Sequence, residues 1–297
     1  METTISLPLT VFAIGFATLL WLRPSFGRKS RDLDKARQAF DGCERLLGLI
    51  KSLQRHRGMS SAWLSGDRSF EGRIAELRQL LERQFNASMQ TATLETDSPW
   101  PCFDHNDMAM LRHQWQALAD AYASMTTEQN IAAHTDLVTK VLGWLAALGE
   151  ARIELALPDR VAAGVVRNYA MRLPALAECL GQARAVGSSV AAHGKCSPVA
   201  RVRLMFLASR AEALIAQALA AAPSARSSAT ARTVEELVEM IRRHLLNEHR
   251  VDIGAGDYFD TATHAIDDVF AWIDGCALDL RRALERADAP LEFRGQF

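Results

Sequence analysis

The chain has 297 residues, a formal net charge of −1 and 49% hydrophobic residues, enough apolar material to bury a sizeable core in one or two domains. Its 34 basic and 35 acidic residues are interspersed, which argues against a nucleic-acid-binding surface and against a funnel for acidic substrates. The five cysteines, Cys43, Cys102, Cys179, Cys196 and Cys276, are odd in number, scattered and without a CxxC pair, so neither a disulfide framework nor a zinc site is expected and a reducing setting fits.

In chain order, residues 5–22 (ISLPLTVFAIGFATLLWL) come first: they carry no charge and approach the length that spans a bilayer, roughly 20 residues. They predict a single transmembrane helix, with residues 1–30 forming an anchor and its basic flank. A signal peptide is the rival, but Glu2 is the only charge before the apolar run, so the basic start of such a peptide is missing. Arg23, Arg28, Lys29 and Arg31 lie just after the run and before the first acid that follows it, Asp32, and the positive-inside rule then puts the remainder on the cytoplasmic side of an inner membrane.

Beyond residue 30, apolar residues recur at spacings of three and four, the mark of amphipathic helices, so the fold class is all-α. Helices are expected near 31–65, 69–95, 105–124, 127–156, 160–193, 198–221, 229–249 and 256–287, with breaks such as Ser98-Pro99 and GKCSP at 194–198. The stretch 221–232 (AAPSARSSATAR) reads as a mobile connection, and a tail at 291–297 follows a domain at 31–290.

That domain contains a repeat. SLQRHRGMSSAWLSG (52–66) and CLGQARAVGSSVAAHG (179–194) share a leucine, an arginine four residues on, small residues after it and a closing glycine. Arg57 and Arg184 are offset by 127 (184 − 57), and Thr135, Val138, Val141 and Trp144 match Thr263, Ile266, Val269 and Trp272 at an offset of 128 (272 − 144). Coincidence of helical composition is one explanation. The other is two related up-down four-helix bundles, in halves of about 31–156 and 157–290.

Leu46, Ile50, Leu53, Arg57, Ser60 and Leu64 alternate steps of four and three, the seam that faces a bundle core, and Leu173, Ala177, Leu180, Arg184, Gly187 and Ala191 repeat it. Each seam therefore contains an arginine. A guanidinium keeps its proton, and its desolvation costs several kcal/mol unless an anion compensates. Two readings follow: Arg57 and Arg184 converge across a pseudo-two-fold axis on one planar anion, or each snorkels to solvent or pairs with an acid such as Glu44, Glu178 or Asp136.

The segment SLQRHRGMSSAWLSG resembles the QRERG-type signature of the nitrate- and nitrite-sensing (NIT) domain, and CLGQARAVGSS and DYFDTATHAIDDV are similar to its second-copy segments, over roughly residues 40–285. One departure is His56, where the family usually places an acid between the two arginines. The resemblance implies an all-helical sensor of two four-helix bundles in which arginines bind nitrate or nitrite and helix movement reports occupancy. It nominates Arg55, Arg57 and Arg184; Arg73 and Arg201, which follow the signature in each copy, either complete the pocket or solvate a helix face. No cofactor is implied.

His244, Glu248 and His249 in HLLNEH offer a metal-site alternative, but neither HExxH nor HxxEH is present and no third ligand follows at convincing spacing. With no phosphate loop, GxSxG or kinase signature, catalysis is not expected. Trp115, Trp144 and Trp272, with Phe259 and Phe270, read as core or dimer-face residues. No kinase, chemotaxis or RNA-binding module follows the last helix, so a separate output protein, or a homodimer, is expected to carry the signal. The competing class is a membrane-tethered helical scaffold that binds a partner protein and no small ligand.

Overall fold

The computed structural model describes the backbone of residues 7–157, 160–246 and 251–288, and the side chains of 32–157, 163–246 and 251–287 apart from position 225. Nine α-helices follow one another among the described residues: α1 (Leu7–Leu64), α2 (Glu71–Thr96), α3 (His105–Ala121), α4 (Thr127–Leu148), α5 (Arg160–Arg167), α6 (Leu173–His193), α7 (Pro198–Ala221), α8 (Ala225–Met240) and α9 (Ala255–Asp288). No strand occurs among these residues, in agreement with an all-α chain. The transmembrane segment expected at 5–22 falls on residues whose side chains lie outside the described set.

Local chemistry sets four of the described helix starts. Asp104 opens α3 and Thr126 opens α4 through reciprocal capping boxes with Asp107 and Gln129, which satisfy backbone N–H groups that have no partner within the helix. Ser197 caps α7 with Pro198 in its first turn, after Gly194 has ended α6 in the left-handed conformation (φ 66°). The same chemistry corrects the loop expected at 221–232. Ser224 forms a capping box with Ser227, helix α8 begins at Ala225, and Ser227 and Thr230 are buried.

Helices α1 and α4 pack together, with α2 against α1, and α3 closes a ring by contacting α2 and α4. The later helices repeat this order: α6 packs on α7 and α9, and α8 contacts α7 and α9. Helix α1 also touches α6 and α9, and one hydrophobic cluster runs from Leu33 to Leu284 through both rings. The seam residues Leu46, Ile50, Leu53 and Arg57 of α1, and Leu173, Ala177 and Leu180 of α6, are buried as their spacing predicts.

Three helices expected to run straight contain π-helical turns, at Gly149–Ile153, Asn168–Arg172 and Ile241–Leu245. The second has a visible cause. Pro174 has no N–H for the carbonyl of Ala170 and its ring crowds that carbonyl, so the wider turn just before it lets the helix continue. Within that turn the buried Asn168 donates to the Ala218 carbonyl at 2.9 Å, tying the irregular backbone to α7.

Small residues set how closely the helices approach. A Cβ at Gly187 would lie 2.3 Å from the buried ring of Tyr258, whose hydroxyl donates to the Ala183 carbonyl at 2.8 Å. Gly187→Ala is therefore expected to cost about 1–3 kcal/mol through overpacking of α6 against α9. A urea midpoint unchanged from the native chain would contradict this packing. Two helical stretches, Thr127–Ala156 and Pro198–Ala221, are long and apolar enough to cross a membrane by length and composition, a test that core helices also pass.

Candidate functional site

Arg57 lies near the end of α1 on its buried seam, 3% exposed, and its fork is engaged by one carboxylate. Its Nη1 donates to Glu178 Oε1 at 2.6 Å and its Nη2 to Glu178 Oε2 at 3.1 Å, with a third bond from Nη1 to the Thr135 hydroxyl on α4 at 3.0 Å. Glu178, on α6 and equally buried, also accepts from Gln54 Nε2 at 2.9 Å and Gln182 Nε2 at 3.0 Å. A desolvated ion pair persists only with such geometry and extra donors. Of the two readings of the seam arginine, Arg57 follows the one that pairs it with Glu178.

Arg184 occupies the related position on α6 but has different company. Its Nη1 donates to the Thr263 hydroxyl on α9 at 2.9 Å, the counterpart of the Arg57 bond to Thr135, and its guanidinium lies 4.9 Å from the centre of the Phe259 ring. No carboxylate lies within ion-pair distance of it among the described residues. The position that corresponds to Glu178 by the repeat offset is Lys51 (178 − 127), which pairs with Asp274 at 3.6 Å instead. Burial, followed by the positive charge of Arg57, lowers the Arg184 pKa, and Asp267 opposes this in part.

The two arginines reach across each other's helix. A Cβ on Gly181 of α6 would lie 2.9 Å from Arg57 Nη2, and one on Gly58 of α1 would lie 4.0 Å from Arg184 Nη2. Gly181 leaves room for the Arg57 guanidinium, whereas a methyl at Gly58 would only come into ordinary contact with that of Arg184. The result is two cations and one ion-paired carboxylate at one helix crossing, with the exposed Asp267 offsetting the remaining positive charge only in part. The physical remedy for such an excess is a monovalent anion with several acceptor oxygens.

The other nominated arginines are directed elsewhere. Arg55 is exposed on α1, Arg73 is exposed at the start of α2 with its guanidinium 4.3 Å from the Phe70 ring centre, and Arg201 donates to the Leu246 carbonyl. Phe259, expected in the core or at a dimer face, is 45% exposed and stacks beneath Arg184. His244 bonds Asp252 through Nδ1 at 2.7 Å, whereas Glu248 and His249 lie outside the described residues. No group of three metal-ligating side chains occurs among the described residues.

His56, the departure from the family signature, points into the first ring of helices. Its Nδ1 lies 2.8 Å from His134 Nε2, and His134 Nδ1 lies 2.8 Å from the Asn130 carbonyl. A carbonyl only accepts, so His134 Nδ1 carries a proton, neutral His134 accepts at Nε2, and His56 donates from Nδ1. His56 Nε2 is then a buried acceptor without a protein partner, enclosed by Trp115 and Tyr122. Burial pushes both rings below the ordinary value of 6.5, His56 to about 3 and His134 to about 4.

The hydroxyls of Thr135 and Thr263 were present in the sequence as part of the repeat but were not assigned to the site. Their offset of 128 (263 − 135) against 127 for the arginines is the signal that joins them. Gln54 opens the QRHRG segment of the signature, whereas Gln182 has no counterpart at that offset, since position 55 is Arg (182 − 127).

A family model described as nitrate and nitrite sensing matches residues 48–280. Among solved structures, the chain is similar to the NasR transcription antiterminator, at 19% identity and a TM-score of 0.71, over 93% of this chain and 76% of that one. At this identity the likeness is one of fold. No curated protein sequence matches the chain.

Proposed function

The chain belongs to the nitrate- and nitrite-sensing family, and we propose that it is a sensor that binds nitrate or nitrite where Arg57 and Arg184 meet and passes occupancy to a separate output protein. The observation that carries this reading is Arg184: a half-buried guanidinium beside a second arginine, hydrogen-bonded to the Thr263 hydroxyl, with no carboxylate of its own among the described residues. A planar, monovalent oxyanion fits the fork of donors and removes the excess charge. Arg184 is the first ligand in this scheme and Arg57 the second. The two rings of helices act as two related four-helix bundles, and a shift at the α1–α6 crossing is the movement that reports binding.

In the same proposal the uncharged run 5–22 tethers the sensor as a single-pass anchor in the inner membrane with the helical domain in the cytoplasm, and signalling runs through a partner protein or a homodimer. No step of this reading calls for catalysis.

The test is thermal unfolding of the purified full-length chain in nitrate, nitrite, chloride and sulfate at matched ionic strength. A ligand that binds only the folded state stabilises it by mass action, about 2.7 kcal/mol at a hundred times Kd. Nitrate or nitrite is expected to raise the midpoint above the other anions, and Arg184→Ala to remove the difference. Equal shifts with every anion would favour the scaffold that binds a protein and no small ligand.

A further inference from the structure

We infer that Glu178 is a built-in competitor for the anion: the chain supplies its own carboxylate to Arg57, and the incoming anion displaces it toward Arg210. This rests on the sensing reading above and adds the regulation of that site. In the starting state the pair is closed. Both Glu178 oxygens are bound to the Arg57 fork, at 2.6 Å and 3.1 Å, so Arg57 has little donor capacity for an external oxyanion while the pair is closed. An anion arriving at Arg184 meets Glu178 as a like charge one helical crossing away, and the two negative groups compete for one guanidinium.

A destination for the carboxylate is also present. Besides facing Arg57, Glu178 lines a cavity of about 280 Å³ between α4, α6 and α7, together with Thr139, Gln182, Phe206 and Arg210. Arg210 is exposed, lies 6.0 Å from the centre of the Phe206 ring, and has no carboxylate within ion-pair distance among the described residues. A rotation of the Glu178 side chain into this cavity therefore exchanges a buried cation for a solvated one. Gln182, one turn along α6, bonds Glu178 in the closed state and lines the cavity as well, so it can follow the carboxylate.

The exchange gives the site two arrangements, Arg57 with Glu178 or Arg57 with the anion, and anion binding draws on the difference between them. The first repeat cannot do the same for Arg184, because Lys51 stands where the second repeat has Glu178. The asymmetry makes Arg184 the standing receptor and Arg57 the gated one.

Isothermal titration of the full-length chain with sodium nitrate and sodium nitrite, against chloride at matched ionic strength, tests this with two variants. Glu178→Gln keeps the shape and an acceptor but removes the charge, and is expected to tighten nitrate or nitrite binding about tenfold or more. Arg210→Ala, at an exposed position outside the anion site, is expected to weaken it several-fold by removing the destination. Anion binding that depends on Arg184 but is unchanged or weaker in Glu178→Gln overturns the competitor role and leaves the sensing reading intact. Absence of specific binding in both the native chain and Glu178→Gln overturns the sensing reading and the competitor with it. If Glu178→Gln does not fold, Arg210→Ala decides alone: unchanged affinity overturns the exchange, and weakened affinity supports it.

Discussion

Replacing Arg57 with alanine is expected to lower the free energy of unfolding by about 3–5 kcal/mol, a large share of what a domain of this kind possesses. The lost bonds are the smaller part of that figure. The larger part is Glu178, 4% exposed, which would be left ionised in the interior without its cation. Gln54 and Gln182 would still donate to it, and these two bonds put the expected loss toward the lower end of the range. A variant that removes both charges, Arg57→Met with Glu178→Leu, is expected to recover most of the loss, because a buried pair replaced by apolar groups of similar volume is close to neutral. Urea unfolding of the native chain, of Arg57→Met and Glu178→Leu singly, and of the double variant closes the cycle. Losses in the single variants that simply add in the double variant would mean that the pair is not coupled. The result also governs how anion binding is tested, since a chain weakened at Arg57 loses stability before any ligand is added. Arg184→Ala leaves no buried carboxylate behind and is the cleaner variant for that purpose.

The helical class and most helix ends were legible because they depend on short-range chemistry. The three-and-four spacing of Leu46, Ile50, Leu53 and Arg57 survives in the structure, and breaks at Ser98-Pro99 and Gly194 fall where backbone preference puts them. The small polar residues at 224–230 misled because the same serine that suits a loop also caps a helix. The π turn before Pro174 was not anticipated either, since a proline inside a periodic run argues equally for an ending or a kink. At the site, the offset of 127 (184 − 57) located both arginines, while the identity of the counter-ion depended on which acids the fold carries to Arg57. The sequence alone does not rank Glu44, Glu178 and Asp136 as partners. Glu44 pairs with Arg281 and Asp136 is exposed, so the α1–α6 crossing selects Glu178.

Between pH 7 and pH 5 the chain is expected to lose about 4 kcal/mol of stability, roughly 2 kcal/mol from each of His56 and His134. Both rings are fully buried, and their folded-state values of about 3 and about 4 lie below the ordinary 6.5. The unfolded chain therefore takes up protons as pH falls through 6.5, while the folded chain does not. The contribution is complete above the ordinary value and is lost progressively toward the two folded values. Geometry sets the same direction: the 2.8 Å bond between His56 Nδ1 and His134 Nε2 holds one proton, and two charged rings would oppose N–H to N–H. This window lies above the ordinary titration range of carboxylates, so the pair dominates the change. Chemical denaturation of the native chain and of His56→Phe with His134→Leu, at pH 7 and pH 5, measures it. The double variant is expected to be much less sensitive to pH, and an equal loss in both chains would assign the acid sensitivity to groups other than this pair. Because His134 precedes Thr135 on α4, and Thr135 accepts from Arg57, loss of the histidine packing at low pH should also loosen the arginine site. Nitrate-specific stabilisation is therefore expected to decline with pH in step with the unfolding free energy of the native chain and to hold steady in the double variant.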